Sequence, residues 1–350
     1  MRILFNGRSL LRPTSGVERY AECLAGLLGR TGYDFRIVVP GPSVPESMQG
    51  NRDLEVFGRW SGHLWEQFDL PRAVSKADLL VGPANTGPLV VRRQLLTVHD
   101  LAWHLHPEGF SPRFRAWYAF LIPRLLARVR HVITVSDHVR RELMEHFDIG
   151  PDRISVVPPF LAGRPDAITS APAIHEKPYF LVVAAQDPRK RIDLLLEHYR
   201  SGHFAGSDLI IVGRSSHVFN GKSAKLPKGV QLRSNISETE LHLLYDHATA
   251  LVNASKYEGF GLPLLEAMQA GCPVISHDLP VLRELFKDGP IFIDICDGEA
   301  LRSACERALS GTKDTEEHVA QGIAVASGFN AVRTLNAFKG AIGSSLEHGS

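Results

Sequence analysis

"ALVNASKYEGFGLPLLEAMQAGCPVISHD", residues 250–278, reads as strand, loop, helix and strand in immediate succession. The flanking runs "ALVNAS" (250–255) and "PVISHD" (273–278) are short and apolar, with little alternation, as expected of strands buried on both faces of a parallel sheet. Between them, Pro263 sits where a first helical turn starts and Gly271 where the helix stops. Gly259, Phe260 and Gly261 form a loop whose backbone can come close to a ligand, and Leu262 opens the helix behind it. A helix N-terminus therefore points out of a loop at the carboxyl end of a strand, where its free N–H groups and dipole suit an anion such as a diphosphate.

Glu258 precedes this loop and Glu266 lies one turn into the helix. Carboxylates beside a phosphate cradle need different partners, and hydroxyl groups are the natural ones. Glu266 is expected to hold a ribose and Glu258 a sugar, one on each side of the diphosphate.

Similar apolar runs recur upstream: "RILFNG" (2–7), "FRIVVPG" (35–41), "ADLLVGP" (77–83), "QLLTVHD" (94–100), "HVITVSD" (131–137) and "ISVVPP" (154–159). Stretches with helical spacing separate several of them, among them 16–30 and 111–130, the latter with a kink expected at Pro123. Residues 160–178 carry prolines and small residues without a sustained period and read as a linker. The alternation restarts with "YFLVVAA" (179–185), "DLIIVG" (208–213), "VQLRSN" (230–235) and, after the opening unit, "PIFID" (290–294). The expected class is α/β, with two Rossmann-like, doubly wound parallel-sheet domains facing across a cleft. Their expected ranges are 1–165 and 166–328. A helix at 329–343 is expected to cross back onto the first domain, and 344–350 to be a disordered tail.

Composition narrows the function. The 350 residues are 44% hydrophobic and 22% charged, ordinary values for a folded globular chain. A net charge of +1 provides no global field for nucleic acid, and that partner class is set aside. The charge is uneven: 21 basic and 16 acidic residues precede position 166, against 18 and 22 after it. Cys23, Cys272, Cys296 and Cys305 show no CxxC spacing and suggest a reducing compartment. With no signal-like N-terminus and no apolar run of membrane-spanning length, the expected location is the cytoplasm, with peripheral contact at the membrane face.

Other candidate site residues lie after predicted strands. In "AAQDPRKRIDLLLEHYR" (184–200), Arg189 and Lys190 would neutralise a leaving phosphate without a metal. In the first half, "PTSGVERY" (13–20) places Gly16 at a helix start, "TVHDLAW" (97–103) presents His99 and Asp100, and "TVSDH" (134–138) presents Ser136. Each of these three is weak alone, and they gain weight as one rim. No HExxH, G-x-S-x-G, P-loop or DxD pattern occurs, so no metal or cofactor is expected.

On these residues the chain resembles the retaining nucleotide-sugar glycosyltransferases of family 4, which have the two-domain GT-B fold. The resemblance covers roughly 1–340, and its most specific element is Glu258 to Glu266, which matches that family's Glu-x7-Glu motif. It implies that Glu258 contacts the donor sugar and Glu266 the nucleotide ribose, that Arg189 and Lys190 form the phosphate-binding turn, that Gly16 approaches the diphosphate, and that His99 lies near the reacting sugar. Two departures are Arg191, where Asn is usual, which puts the following helix cap in doubt, and Ala184, where many relatives carry Gly.

The resemblance further implies transfer of a hexose with retention at the anomeric carbon. The contexts "LWEQFDLPRA" (64–73) and "HDLAW" look most like bacterial mannosyl or related transferases of surface polysaccharide assembly, so GDP-mannose is the expected donor, with UDP and dTDP sugars open. Base recognition is expected from backbone around 230–237. The acceptor would be a saccharide or a lipid-linked saccharide. Arg113, Arg115, Arg124, Arg128 and Arg130, interleaved with Phe114, Trp117, Tyr118, Phe120 and Leu121, would meet anionic lipid, unless that helix simply packs. Competing readings are a nucleotide-sugar epimerase or phosphorylase, a non-catalytic nucleotide- or sugar-binding protein, and a dinucleotide oxidoreductase, the last lacking any G-x-G-x-x-G after a strand.

Overall fold

The computed structural model describes all residues except 13–14, 42–51, 77, 162, 164–174, 185–186, 214–225 and 348–350. Most of the expected linker and part of the loop at 13–20 therefore lie outside the described residues. The chain forms two compact units, residues 1–161 with 329–350, and residues 162–328.

In the first unit β1 (Arg2–Asn6), β2 (Asp34–Pro40), β3 (Leu54–Phe57), β4 (Leu79–Gly82), β5 (Gln94–Val98), β6 (His131–Thr134) and β7 (Ile154–Val156) form one sheet in the order β3-β2-β1-β4-β5-β6-β7, all parallel. β4, β5 and β6 are buried at every position, which is why their sequences lack alternation. The intervening helices are α1 (Gly16–Leu27), the short turns α2 (Gly62–Leu64), α3 (Leu70–Ala73) and α4 (Ala102–Leu105), then α5 (Pro112–Leu126) and α6 (Asp137–Phe147). Between α2 and α3, Trp65–Asp69 forms a π-helical turn.

In the second unit β8 (Tyr179–Val183), β9 (Asp208–Val212), β10 (Val230–Arg233), β11 (Ala250–Asn253), β12 (Val274–His277) and β13 (Ile291–Ile293) follow the order β10-β9-β8-β11-β12-β13, again all parallel. Helices α7 (Ile192–Arg200), α8 (Glu238–His247), α9 (Leu262–Gln269), α10 (Pro280–Phe286), α11 (Gly298–Ser310) and α12 (Lys313–Ser327) complete it. Its core joins Phe180, Leu209, Ile211, Val252 and Ile275 from the sheet to Leu195, Phe204, Leu301 and Cys305 beside it.

Both units are thus the expected doubly wound sheets. In each, the strand order reverses beside the first strand, between β1 and β4 and between β8 and β11. Loops leaving those strands splay in opposite directions and open a crevice at their carboxyl ends, the usual ligand position in such sheets.

The last helix, α13 (Ala331–Glu347), packs against β5, β6 and β7 of the first unit, and its Thr334 Oγ1 donates to Pro158 O at 2.9 Å. It runs past the expected limit of 343: Ser345 is buried and its hydroxyl donates to Ile342 O, so residues 344–347 belong to the fold and are not a tail. A second difference is β3, an edge strand of four half-exposed residues that the pattern of apolar runs had not marked. Of the cysteines, Cys272 and Cys305 are buried and their thiols are pushed up to about 12 by burial, Cys23 is half-buried, and Cys296 is exposed. Among the described residues no helix is long and apolar enough to cross a membrane.

Candidate functional site

The second unit brings its expected residues together at its switch point. The loop after β8 ends in a 3-10 turn, Pro188–Lys190, and the loop after β11 carries Glu258. Lys190 Nζ donates to Glu258 Oε1 at 2.5 Å, with both side chains mostly buried, and the backbone N–H of Lys256 donates to Arg189 O at 2.9 Å. One side-chain and one main-chain bond therefore hold the two loops in register.

Arg189 is oriented by Asp187. Its Nε and Nη2 donate to Asp187 Oδ2 at 2.9 and 2.6 Å, while Asp187 Oδ1 accepts the Arg189 backbone N–H and caps the turn. Burial pushes the Asp187 carboxyl up, but the Arg189 side chain and N–H, with Lys190, outweigh it and hold the group below the ordinary carboxylate range. The turn thus presents two cations on a backbone fixed by an ionised acid.

Gly261 starts α9 at φ +97°, and a Cβ there would lie 2.8 Å from Leu282 Cδ2. Conformation and packing both require glycine. The buried loop Gly259–Gly261 leaves the N-terminus of α9 pointing out of the sheet, with Pro263 in its first turn. Phe260 is turned inward, edge-on to Phe286 at 5.8 Å, and supports the loop, while Leu262 is half-buried. Glu266 is buried one turn in and accepts from Tyr245 Oη on α8 at 2.8 Å. Tyr245 escaped sequence reasoning because no motif links it to a glutamate 21 residues on.

Arg191 sits at φ +49° between the turn and α7 and supplies no side-chain cap; its Nη1 donates to Cys296 Sγ at 3.4 Å. The doubt raised by this residue is justified: a left-handed position that Asn tolerates is filled by a residue that neither prefers it nor caps the helix. Near the expected base-reading stretch, Arg233 closes β10 and donates to Gln231 Oε1 at 3.1 Å.

In the first unit, His99 follows β5 and is 8% exposed. Its Nε2 is 2.8 Å from Pro83 O, and because a carbonyl only accepts, that nitrogen carries the proton. Asn85 Oδ1 accepts the His99 backbone N–H at 2.8 Å, and the ring stands edge-on to Tyr20 at 4.8 Å. Burial lowers the imidazole pKa against the opposing pull of the Pro83 carbonyl, Asp100 and Glu18, so the ring stays neutral near pH 7. Asp100 is half-buried, and its Oδ1 accepts from Ala102 N at 2.9 Å. Gly16 is exposed as the first residue of α1.

Ser136 stands apart. It has no exposed surface, and its hydroxyl accepts from Val139 N at the start of α6, so it acts as a helix cap in place of the expected ligand contact. The expected surface of α5 is corrected as well. Phe114, Trp117 and Tyr118 pack against the core beneath, Leu121 is fully buried, and Arg130 is half-buried. Phe120 stays 45% exposed under Arg124, among exposed Arg113, Arg115 and Arg128.

Comparison with known proteins agrees with the fold of the two units. Residues 164–324 match the family described as Glycosyl transferases group 1, and residues 14–161 match Glycosyltransferase Family 4. The chain is 30% identical over 227 residues to the O-antigen chain mannosyltransferase RfbU of Salmonella typhimurium, a match spanning 63% of this chain and 62% of that protein. It is 28% identical over 281 residues to O-antigen chain mannosyltransferase B of Escherichia coli, spanning 74% and 73% of the two chains. Among solved structures, the sucrose-phosphate synthase of Thermosynechococcus elongatus superposes with a TM-score of 0.75 at 17% identity, covering 100% of this chain and 99% of that one.

Two outcomes follow from the local geometry. Arg191→Asn relieves an unfavourable backbone position and should raise stability by about 1 kcal/mol, or about 2–4 °C in Tm for a unit of this size; calorimetry showing no gain would mean that the bond to Cys296 already compensates. The buried His99 makes stability depend on pH. Its folded pKa lies below the ordinary 6.5, so the unfolded chain takes up protons first as pH falls. The contribution is fully present above about pH 6.5 and is lost on acidification through and below it. Tm measured from about pH 8 to pH 5 should fall, and His99→Gln, which keeps an N–H for Pro83 O, should flatten the decline.

Proposed function

Because this chain belongs to the group 1 glycosyltransferases of the GT-B fold, with a family 4 first unit, we propose that it moves a mannosyl residue from GDP-mannose to a saccharide or lipid-linked saccharide, with retention at the anomeric carbon and without a metal. The observation that carries this reading is the Lys190–Glu258 pair across the switch point of the second unit, beside the N-terminus of α9. The mannosyl donor is favoured by the O-antigen chain mannosyltransferases to which the chain is similar.

Breaking the anomeric bond builds positive charge on the sugar and negative charge on the leaving diphosphate. The proposed roles follow from that separation. Lys190, Arg189 and the N-terminus of α9 meet the diphosphate. Glu258 exchanges Lys190 for hydroxyls of the donor sugar, and Glu266, steadied by Tyr245, accepts from the ribose hydroxyls. His99, held neutral, is assigned to the reacting sugar, with Asp100 beside it. Retention would follow from attack on the face the leaving group departs, with the diphosphate taking the acceptor's proton.

The test is turnover of GDP-mannose in EDTA by the purified chain, alongside UDP and dTDP sugars. Glu258→Gln and Lys190→Met should each lower kcat by about 10²- to 10³-fold. Unchanged turnover in Glu258→Gln would remove the basis of the reading, and turnover only with added divalent cation would remove its metal-free part. A lipid-linked acceptor also implies contact with an anionic bilayer, for which exposed Arg113, Arg115, Arg124 and Arg128 around Phe120 are suited. In co-sedimentation with anionic phospholipid vesicles, paired Arg124→Glu and Arg128→Glu should release the protein; equal binding by this variant would exclude that face.

A further inference from the structure

The switch point of the first unit holds a polar cluster that the donor chemistry leaves unused. Gly7 turns the chain off β1 so tightly against β2 that a Cβ would lie 2.6 Å from Val39 Cγ1. Arg8, the next residue, is buried at 6% exposure, and its Nη2 donates to Thr86 Oγ1, in the loop after β4, at 2.8 Å. The same nitrogen lies 3.3 Å from Glu66 Oε1, which also accepts from Asn6 Nδ2 at 2.9 Å.

Glu66 is fully buried on the π-helical turn, and its Oε2 is 3.4 Å from His63 Nδ1. The next residue pins that turn to the loop after β4: Gln67 Nε2 donates to Gly87 O at 2.8 Å and its Oε1 accepts from Leu89 N at 3.1 Å. Burial pushes the Glu66 carboxyl up, and His63, Arg8 and Thr86 together bring it below the ordinary range, so it is ionised beside Arg8. The His63 ring stands edge-on to Trp117 at 5.6 Å and to Tyr118 at 6.5 Å, which carries the cluster on to α5.

Two donors in this cluster, Arg8 Nη1 and Trp117 Nε1, are buried with no acceptor among the described residues. Guanidinium and indole N–H groups can only donate, so each is left to an oxygen that the described residues do not supply. Charge then selects the ligand. Glu66 offsets Arg8. The ion pair carries no net charge to favour a carboxylate or phosphate. Hydroxyl and ring oxygens fit a donor-rich, charge-balanced site flanked by aromatic rings.

Resting on the transferase reading above, we propose that Arg8 and Trp117 form a subsite in the first unit for an uncharged pyranose of the acceptor, donating to its hydroxyl or ring oxygens.

The test uses the full chain with octyl α-mannoside as neutral probe and octyl α-glucuronide as its anionic counterpart, each titrated by ligand-observed NMR, with the thermal shift by GDP as a separate readout. The mannoside should bind in preference to the glucuronide. Trp117→Phe, which removes one N–H and keeps a ring, and Arg8→Lys, which keeps the charge beside Glu66, should each weaken mannoside binding about tenfold and leave the GDP shift unchanged. Mannoside binding unaffected by both variants, glucuronide binding as tight as mannoside, or no mannoside binding to the unaltered chain would each overturn the proposal. Loss of the GDP shift in Trp117→Phe would overturn it too, since the effect would not be local. Arg8-dependent mannoside binding in a chain that gives no GDP shift would uphold the subsite while the donor assignment fell.

Discussion

A parallel strand covered on both sides has no solvent face, so a polar side chain in mid-strand must pair with a neighbour, and any group that meets a ligand has to wait for the strand to end. Thr134, fully buried at the end of β6, spends its hydroxyl on Val98 O. Asn6, at the last position of β1, is the first side chain there able to look outward, and it engages both Arg8 and Glu66. Lys190 and Glu258 are placed by the same rule in the second sheet. The polar groups assigned to chemistry in both units lie past the ends of the strands.

The cations of the second unit arrive already matched. Lys190 rests on Glu258 and Arg189 on Asp187, so an anion entering there must exchange partners with carboxylates and does not simply fill a positive hole. Such exchange favours a ligand bearing both charge types of partner, phosphate for the cations and hydroxyls for the freed acid. A bare inorganic anion offers only half of that and should discriminate poorly.

Much of this was legible in the chain because it is local. Each β–loop–α step carries its own signals, as Gly261 and Pro263 show, and the doubly wound class follows from their repetition. What escaped depends on partners distant in sequence or on patterns too short to register. Strand β3 has four half-exposed residues and no apolar run. The Arg8–Glu66 pair joins segments 58 residues apart through a π-helical turn that no periodicity announces. Ser136 shows the opposite error: a hydroxyl after a strand looks available until the helix it caps is in place. The arginine-rich face of α5 was visible as composition, but which of its rings turn inward is decided by the core beneath.

Helix α13 gives the chain an order of assembly. Residues 162–328 form a contiguous unit, whereas the first unit is interrupted and needs residues 329–347 to cover β5, β6 and β7. During synthesis the second unit can therefore finish while the first still exposes an uncovered sheet surface, although the first began earlier. Chaperone dependence, sensitivity to premature termination and protease attack on nascent chains should then concentrate in the first unit, whose completion depends on residues made after the second.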